Sequence, residues 1–441
     1  MSEDIVVPRR ALKEIDYVSG NLIVNEGTVK SGSPDGLITV AGDTECHGDC
    51  TFDGTLKAHS LYVHDGDLEV KGNLIIEKRI HVKKGRLRVN GNVTSTKIEV
   101  DKSAQILGDF KAEETQVGGT LSVSGAGNSE YVNVGGTFES TSFEFNKISV
   151  GGTYKAYGPL NGKKISVGGT FKAEDSVEVE EVDVGGTIKI QGNVSSNKMS
   201  AGGTIEVNGG EVKGRLNAGG TIRSHGYLNF ERLDAGGSIT IKGGSGENID
   251  VGGSFVSHGN LKFNNIDVGG TVKINGDGEG HGIDVGGTVK VRGNLKLTNS
   301  IDVGGTIEVD ENLNAKSVKA GGKIRALKIN ASDEIETNVL RTRDGAKAER
   351  IEIGKKGEVE GPLIANMVYL RDKAEAEDIY AQNVTLKRDC RARNIYANRV
   401  QIESGSKISG KILYTESLYA DSDVQFQTNP EKTEKLPNPP F

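Results

Sequence analysis

Apolar and polar residues alternate along almost the whole chain in runs of three to five, as in Leu261-Lys262-Phe263 and Val272-Lys273-Ile274. Alternation with a period of two puts every apolar side chain of a run on one face, which predicts short strands with one buried side. The runs are separated by Gly259-Asn260, Asn264-Asn265 and Gly269-Gly270, residues that form turns and tolerate positive φ. No stretch of the repeat carries a helical period.

The pattern itself repeats. Val-Gly-Gly-Thr or a close variant occurs thirteen times, its first glycine at 118, 135, 151, 168, 185, 202, 219, 236, 252, 269, 286, 304 and 321. The spacing stays between 16 and 18 residues. Three short strands and three corners fit that length, so each repeat is one triangular turn of a solenoid. The fold class expected is therefore all-β: a single-stranded parallel β-helix (β-solenoid) with turns of about 17 residues stacked about 4.8 Å apart. Val184, Ile188 and Ile190 should lie beneath Ala201, Ile205 and Val207. The Thr or Ser after all but the last Gly pair should form an outward ladder. A single turn cannot bury its apolar face; only stacked neighbours can.

The flanks keep a looser beat. Upstream, Gly54-Thr-Leu-Lys-Ala58, Gly72-Asn-Leu74, Gly91-Asn-Val93 and Gly108-Asp-Phe-Lys-Ala112 recur; downstream, Leu363-Ile-Ala365, Ile379-Tyr-Ala381 and Ile395-Tyr-Ala397 recur every 16 residues. Between Lys323 and Arg350 the beat breaks, which reads as an irregular turn or bulge rather than a domain boundary. The organisation expected is a polar N-terminal tail over 1–19, looser solenoid turns over 20–116, regular Val-Gly-Gly-Thr turns over 117–326, looser turns over 327–427, and a disordered Pro-rich tail over 428–441. That last segment holds four of the eight prolines. About 24 turns at about 4.8 Å each would make a rod on the order of 110–120 Å long.

Composition fits a narrow aliphatic lumen. Glycine supplies 62 of 441 residues, there is no tryptophan, and aromatics are 5%. The net charge of −7 argues against general nucleic-acid binding, which needs a basic face. The first twenty residues lack the apolar core of a signal peptide, and no apolar run is long enough for a membrane helix. Three cysteines, Cys46, Cys50 and Cys390, make no disulfide framework and fit a reducing compartment, so a cytoplasmic location is expected.

The segment Val359-Glu-Gly-Pro-Leu-Ile-Ala-Asn-Met-Val-Tyr-Leu370, echoed through Leu386 and Ile402, resembles the bactofilin family of polymer-forming cytoskeletal proteins. Gly108-Asp109-Phe110-Lys111-Ala112 is similar to a step of that family. The resemblance covers roughly 351–422 and 50–117. It implies a right-handed β-helix, end-to-end self-assembly without nucleotide, and a cytoplasmic scaffold role that in the family is often at a membrane surface. The chain departs from the family in its many turns and in its glycine-rich centre.

Candidate chemistry is sparse. Cys46-His47-Gly48-Asp49-Cys50 is the one segment resembling a metal site, but it lacks a second ligand pair for a four-coordinate ion. Asp183, Asp234, Asp250, Asp267, Asp284 and Asp302 occupy one column, where stacked carboxylates either hold a weak cation strip or form a solvated edge eased by Lys189, Lys273 and Lys290. The histidines (47, 59, 64, 81, 225, 258, 281) sit within turns rather than in inserted loops. The Gly pairs lack the strand-loop-helix context of a phosphate loop. No catalytic residue, cofactor or metal is expected. The function expected is a scaffold rod assembling end to end with itself through its terminal turns, Leu22, Ile23 and Val24 at one end and Leu418, Tyr419, Val424 and Phe426 at the other. Its further partner would be a membrane surface or a scaffolded protein, not nucleic acid. The alternatives are a non-polymerising β-helical binding or adhesin-like rod, and a carbohydrate-active β-helix enzyme, which needs paired carboxylates over a groove.

Overall fold

The computed structural model of the chain describes residues 3–440. Among them there is no helix; the regular elements are β-strands paired in parallel, each with the equivalent segment one turn away. The chain is a parallel β-solenoid with about 17 residues per turn, as the spacing of the Gly pairs predicts. It divides into two compact units, residues 1–226 and 227–441.

In the first unit the early turns have three separate sides. Leu22–Asn25, Thr28–Lys30 and Leu37–Val40 pair with Thr44–His47, Cys50–Asp53 and Thr55–Ala58 of the following turn. From Val93 two sides run together as an eight-residue strand, such as Phe110–Val117, alternating with a four-residue one, such as Thr120–Val123. In Phe110–Val117 the inward residues are Phe110, Ala112, Thr115 and Val117; the two successive outward residues Glu113 and Glu114 mark a corner made without glycine. The expected register holds: Val184 pairs with Ala201, Ile188 with Ile205 and Ile190 with Val207. Seven threonines from Thr120 to Thr221 stand in one ladder beside the Gly corner.

The Gly corners hold for a different reason from the one expected. None of the paired glycines is among the positive-φ residues. What excludes a side chain is the turn before: a Cβ on Gly185 would stand 2.2 Å from the carbonyl oxygen of Gly168, and Gly135, Gly151, Gly168 and Gly202 are identical in this respect. The backbone there stacks so closely, with Gly185 N–H donating to Val167 O at 2.8 Å, that only glycine fits. The lumen adjusts for large side chains in a related way. Phe143 lies over Gly127, and Phe145 over Gly162, where a Cβ would run into the ring.

The second unit continues the same scheme, with the corner Cβ positions of Gly269 and Gly286 2.4 Å from the preceding glycine's oxygen. The stretch where the repeat is hard to follow lies inside one continuous strand, Lys323–Glu360. Against Asn312–Ala320 its register slips by one residue between Ala315 and Ser317, which is the expected bulge.

Both terminal boundaries move. The expected N-terminal tail over 1–19 is, in its described residues 3–19, not free: Ile5–Val7, Leu12–Glu14 and Tyr17–Val18 pair with the next turn, so the solenoid begins before Leu22. The polar look of the segment comes from outward residues, while Val7, Ile15 and Val18 are buried. At the other end Glu431–Lys432 pairs with Leu413–Tyr414, and Thr433 N–H donates to Tyr414 O at 2.9 Å, so the Pro-rich segment starts as one more solenoid side.

Outward charges pair from turn to turn. In the first unit Glu181 sits between Lys164 and Lys198, at 2.8 and 2.9 Å. Their hydrogen bonds, that of Lys164 first, lower its carboxyl to about 2. A depressed carboxyl stabilises the fold above its unfolded value of about 4.3, and the contribution is lost as pH falls toward 2. Glu181→Gln is expected to destabilise the unit by under about 1 kcal/mol at neutral pH, because the pair is solvent-screened. Thermal melts of parent and variant should converge between pH 4.5 and 2; a constant difference across that window would contradict the assignment.

Candidate functional site

The last turn of the second unit leaves part of its strand backbone without a further paired strand among the described residues. Ile412–Ala420 pairs back onto Arg391–Ile402, placing Leu418 over Val400 and Tyr419 over Gln401, and Gln425–Phe426 pairs with Lys407–Ile408. Glu431–Lys432 covers Leu413–Tyr414. Among the described residues no strand continues beyond Leu418–Ala420 or Gln425–Phe426. Leu418, Val424 and Phe426 are half-buried there, whereas Ile402 and Ile408, one turn further in, are buried. Tyr419 is 64% exposed. The four residues expected at this end thus lie on the last turn, Leu418 and Tyr419 on one strand and Phe426 on another.

The three residues expected at the other end are not at an end. Leu22 and Val24 are fully buried, held between Ile5 and Val7 on one side and Thr44 and Cys46 on the other. Ile23 points outward from the same strand. The turn ahead of them carries the exposed apolar side chains instead: Val6, Leu12 and Tyr17. Sequence reasoning missed it because Val-Pro-Arg-Arg at 7–10 interrupts the alternation.

The other candidates resolve by the direction each side chain faces. Gly48, at φ +83°, turns the chain between Cys46 and Cys50, and both thiols face the lumen, at 0% and 2% exposure. Cys50 Sγ–H donates to Val24 O at 3.6 Å, and the neighbouring Cys50 thiol together with burial pushes the Cys46 thiol up. Burial likewise raises Cys390. Neither Cys46 nor Cys50 offers sulfur to the surface.

The aspartate column is real: Asp250, Asp267, Asp284 and Asp302 stack in register and are exposed. Its charge is relieved at the two ends of the run, by Arg232 at 3.5 Å from Asp250 and by Lys319, which pairs in register with Asp302. Lys189 and Lys290 do not serve it; they reach Glu206 and Glu308 one turn on.

In the first unit a shallow open groove of about 700 Å³ follows the Gly corners past Asn133, Ser149, Ser166, Asp183, Ser200 and Asn217. Its floor is glycine backbone. Asp183 is its only titratable side chain, and that carboxylate is engaged by Lys164 at 3.3 Å and Lys198 at 3.8 Å. The groove therefore holds no second carboxylate for acid–base work.

No helix among the described residues is long and apolar enough to cross a membrane. No family model matches the chain, nor does any curated protein or solved structure.

Proposed function

We propose that this chain is a structural scaffold protein that joins copies of itself end to end without nucleotide. The observation that carries the reading is the last turn: backbone N–H and C=O groups of Leu418–Ala420 and Gln425–Phe426 lie on an unpaired parallel edge beside half-exposed Leu418, Val424 and Phe426. Such an edge is a template for another strand, and a chain whose turns are nearly uniform offers a matching surface at its opposite terminus. The resemblance of 351–422 and 50–117 to bactofilins points the same way, and a cytoplasmic location with a membrane surface or scaffolded protein as further partner belongs to it. The N-terminal partner surface in this reading is the turn bearing Val6, Leu12 and Tyr17.

One observation favours a non-polymerising binding rod. Glu431–Lys432 already covers one side of the last turn, as a cap does. The two readings separate on the double variant Val424→Asp with Phe426→Arg. Charges at that edge should disperse multimeric particles of the parent into single chains, seen by negative-stain imaging and light scattering, with the circular dichroism of a β-solenoid unchanged. Particles of unaltered length in the variant would place the contact elsewhere.

A further inference from the structure

Turns of the solenoid place residues a full repeat apart side by side, and near the N-terminus this gathers three metal-ligating side chains on the outer surface. Glu45 and His47 alternate outward on Thr44–His47, between the inward Thr44 and Cys46. The next turn pairs Cys46 with Val63, so His64 comes to lie directly beside His47. The two imidazole rings stack with centroids 4.6 Å apart and planes within 7°. The Nε2 atoms of both lie near one atom, Glu45 Oε2, at 3.9 Å from His47 and 3.5 Å from His64. All three donor atoms lie within 4.8 Å of one another, and no other set of three such groups meets that condition among the described residues.

We propose that Glu45, His47 and His64 bind one divalent transition-metal ion of borderline softness, zinc being the type case. The donor set, two imidazoles and a carboxylate, is one that zinc, nickel and copper(II) accept and that magnesium and calcium do not favour. Bonds of about 2.0–2.2 Å to a tetrahedral ion would put donors about 3.3 Å apart. The Glu45–His64 separation is already close to that, while the two rings must tilt out of their parallel stack for both nitrogens to face one ion. That tilt is open, because all three side chains are about half exposed and none is wedged in the core. A dication held by the two ring nitrogens would also meet the opposite charge of the Glu45 carboxylate. Three protein ligands leave a fourth position for water or for a group from another molecule.

The site also accounts for the neighbouring cysteines, the obvious ligands in the sequence. They face the lumen from the same corner and stay outside the coordination sphere. Bound metal would tie Thr44–His47 to Leu61–Val63 across the turn boundary, adding a cross-link on the outside of a stack otherwise held by backbone hydrogen bonds and the lumen.

The test is a zinc titration of the full chain after chelator treatment, read by competition with a chromophoric chelator and by the shift in melting temperature. The parent should bind one equivalent and melt at a higher temperature with zinc. His47→Ala and His64→Ala should each weaken binding by at least about a hundredfold, the upper end of what loss of an outer-shell partner costs, and should abolish the melting shift. Glu45→Gln should weaken it less than either. His281→Ala, in the second unit, should bind like the parent. All four positions lie at the surface, none wedged in the core, so the metal-free variants should melt close to the metal-free parent. Absence of stoichiometric zinc binding by the parent would overturn the proposal. So would binding that survives both histidine changes, or binding lost on Cys46→Ser with Cys50→Ser but retained in the histidine variants.

Discussion

Gly185→Ala is expected to destabilise the first unit by about 3 kcal/mol, the upper end of the usual cost of overpacking a close-packed site. The added methyl meets the Gly168 carbonyl oxygen at 2.2 Å, and that oxygen belongs to backbone which cannot swing aside. Removing one glycine also restricts the unfolded chain, which offsets about 0.4–1 kcal/mol. Gly203→Ala is the internal comparison. Its Cβ would stand 3.0 Å from Gly186 O, a gap closed by a shift of a few tenths of an ångström, so a loss nearer 1 kcal/mol is expected. Unfolding curves of the two variants check this. Equal losses would mean that the close approach of successive corners is not what holds these positions to glycine. Because unfolding of a repeat stack need not be two-state, local hydrogen exchange at the flanking turns is the better readout.

The second large effect is expected in the lumen at Tyr154. Its ring is fully buried between Phe138, with centroids 4.7 Å apart and planes within 5°, and Phe171, at 5.3 Å and 24°. Tyr154→Ala empties most of that layer and should cost about 3–5 kcal/mol. Tyr154→Phe keeps the stack but removes the hydroxyl that lies 3.1 Å from Ser140 Oγ, leaving a buried hydroxyl without that partner, for about 1 kcal/mol. Burial also raises the Tyr154 phenol well above its ordinary value, outweighing the Ser140 bond. A raised acid stabilises fully below its unfolded value of about 10, and this stability is lost as pH rises beyond it. Stability of the parent should therefore fall at alkaline pH, and Tyr154→Phe should remove part of that slope. An alanine variant as stable as the phenylalanine one would contradict the packing described.

The alternation and the Gly-pair period carried the fold because both follow directly from geometry. Inward and outward positions alternate in a strand, and only one spacing stacks Val184, Ile188 and Ile190 on Ala201, Ile205 and Val207. The steric reason for the Gly pairs was not legible. Positive φ and close backbone approach both select glycine, and only the positions of successive carbonyls distinguish them. The N-terminal turn was hidden because Ile5–Val7 and Tyr17–Val18 are short and separated by charged residues. At the C-terminus Leu418, Val424 and Phe426 could be identified from the last periodic run, although the strand at Glu431–Lys432 could not, having no apolar residue to announce it. The His47–His64 pair carried a readable signal: the two are 17 residues apart, one repeat. The same spacing from His64 to His81 misleads, because that turn is longer and sets His81 beside Tyr62 instead.

The central claim, end-to-end association of identical chains, is tested most directly by light scattering of the full chain over a dilution series in nucleotide-free buffer. The account predicts a mass that is a multiple of 46.8 kDa and rises with concentration, with negative-stain particles lengthening in step at constant width. A mass fixed at that of one chain across the series would contradict it.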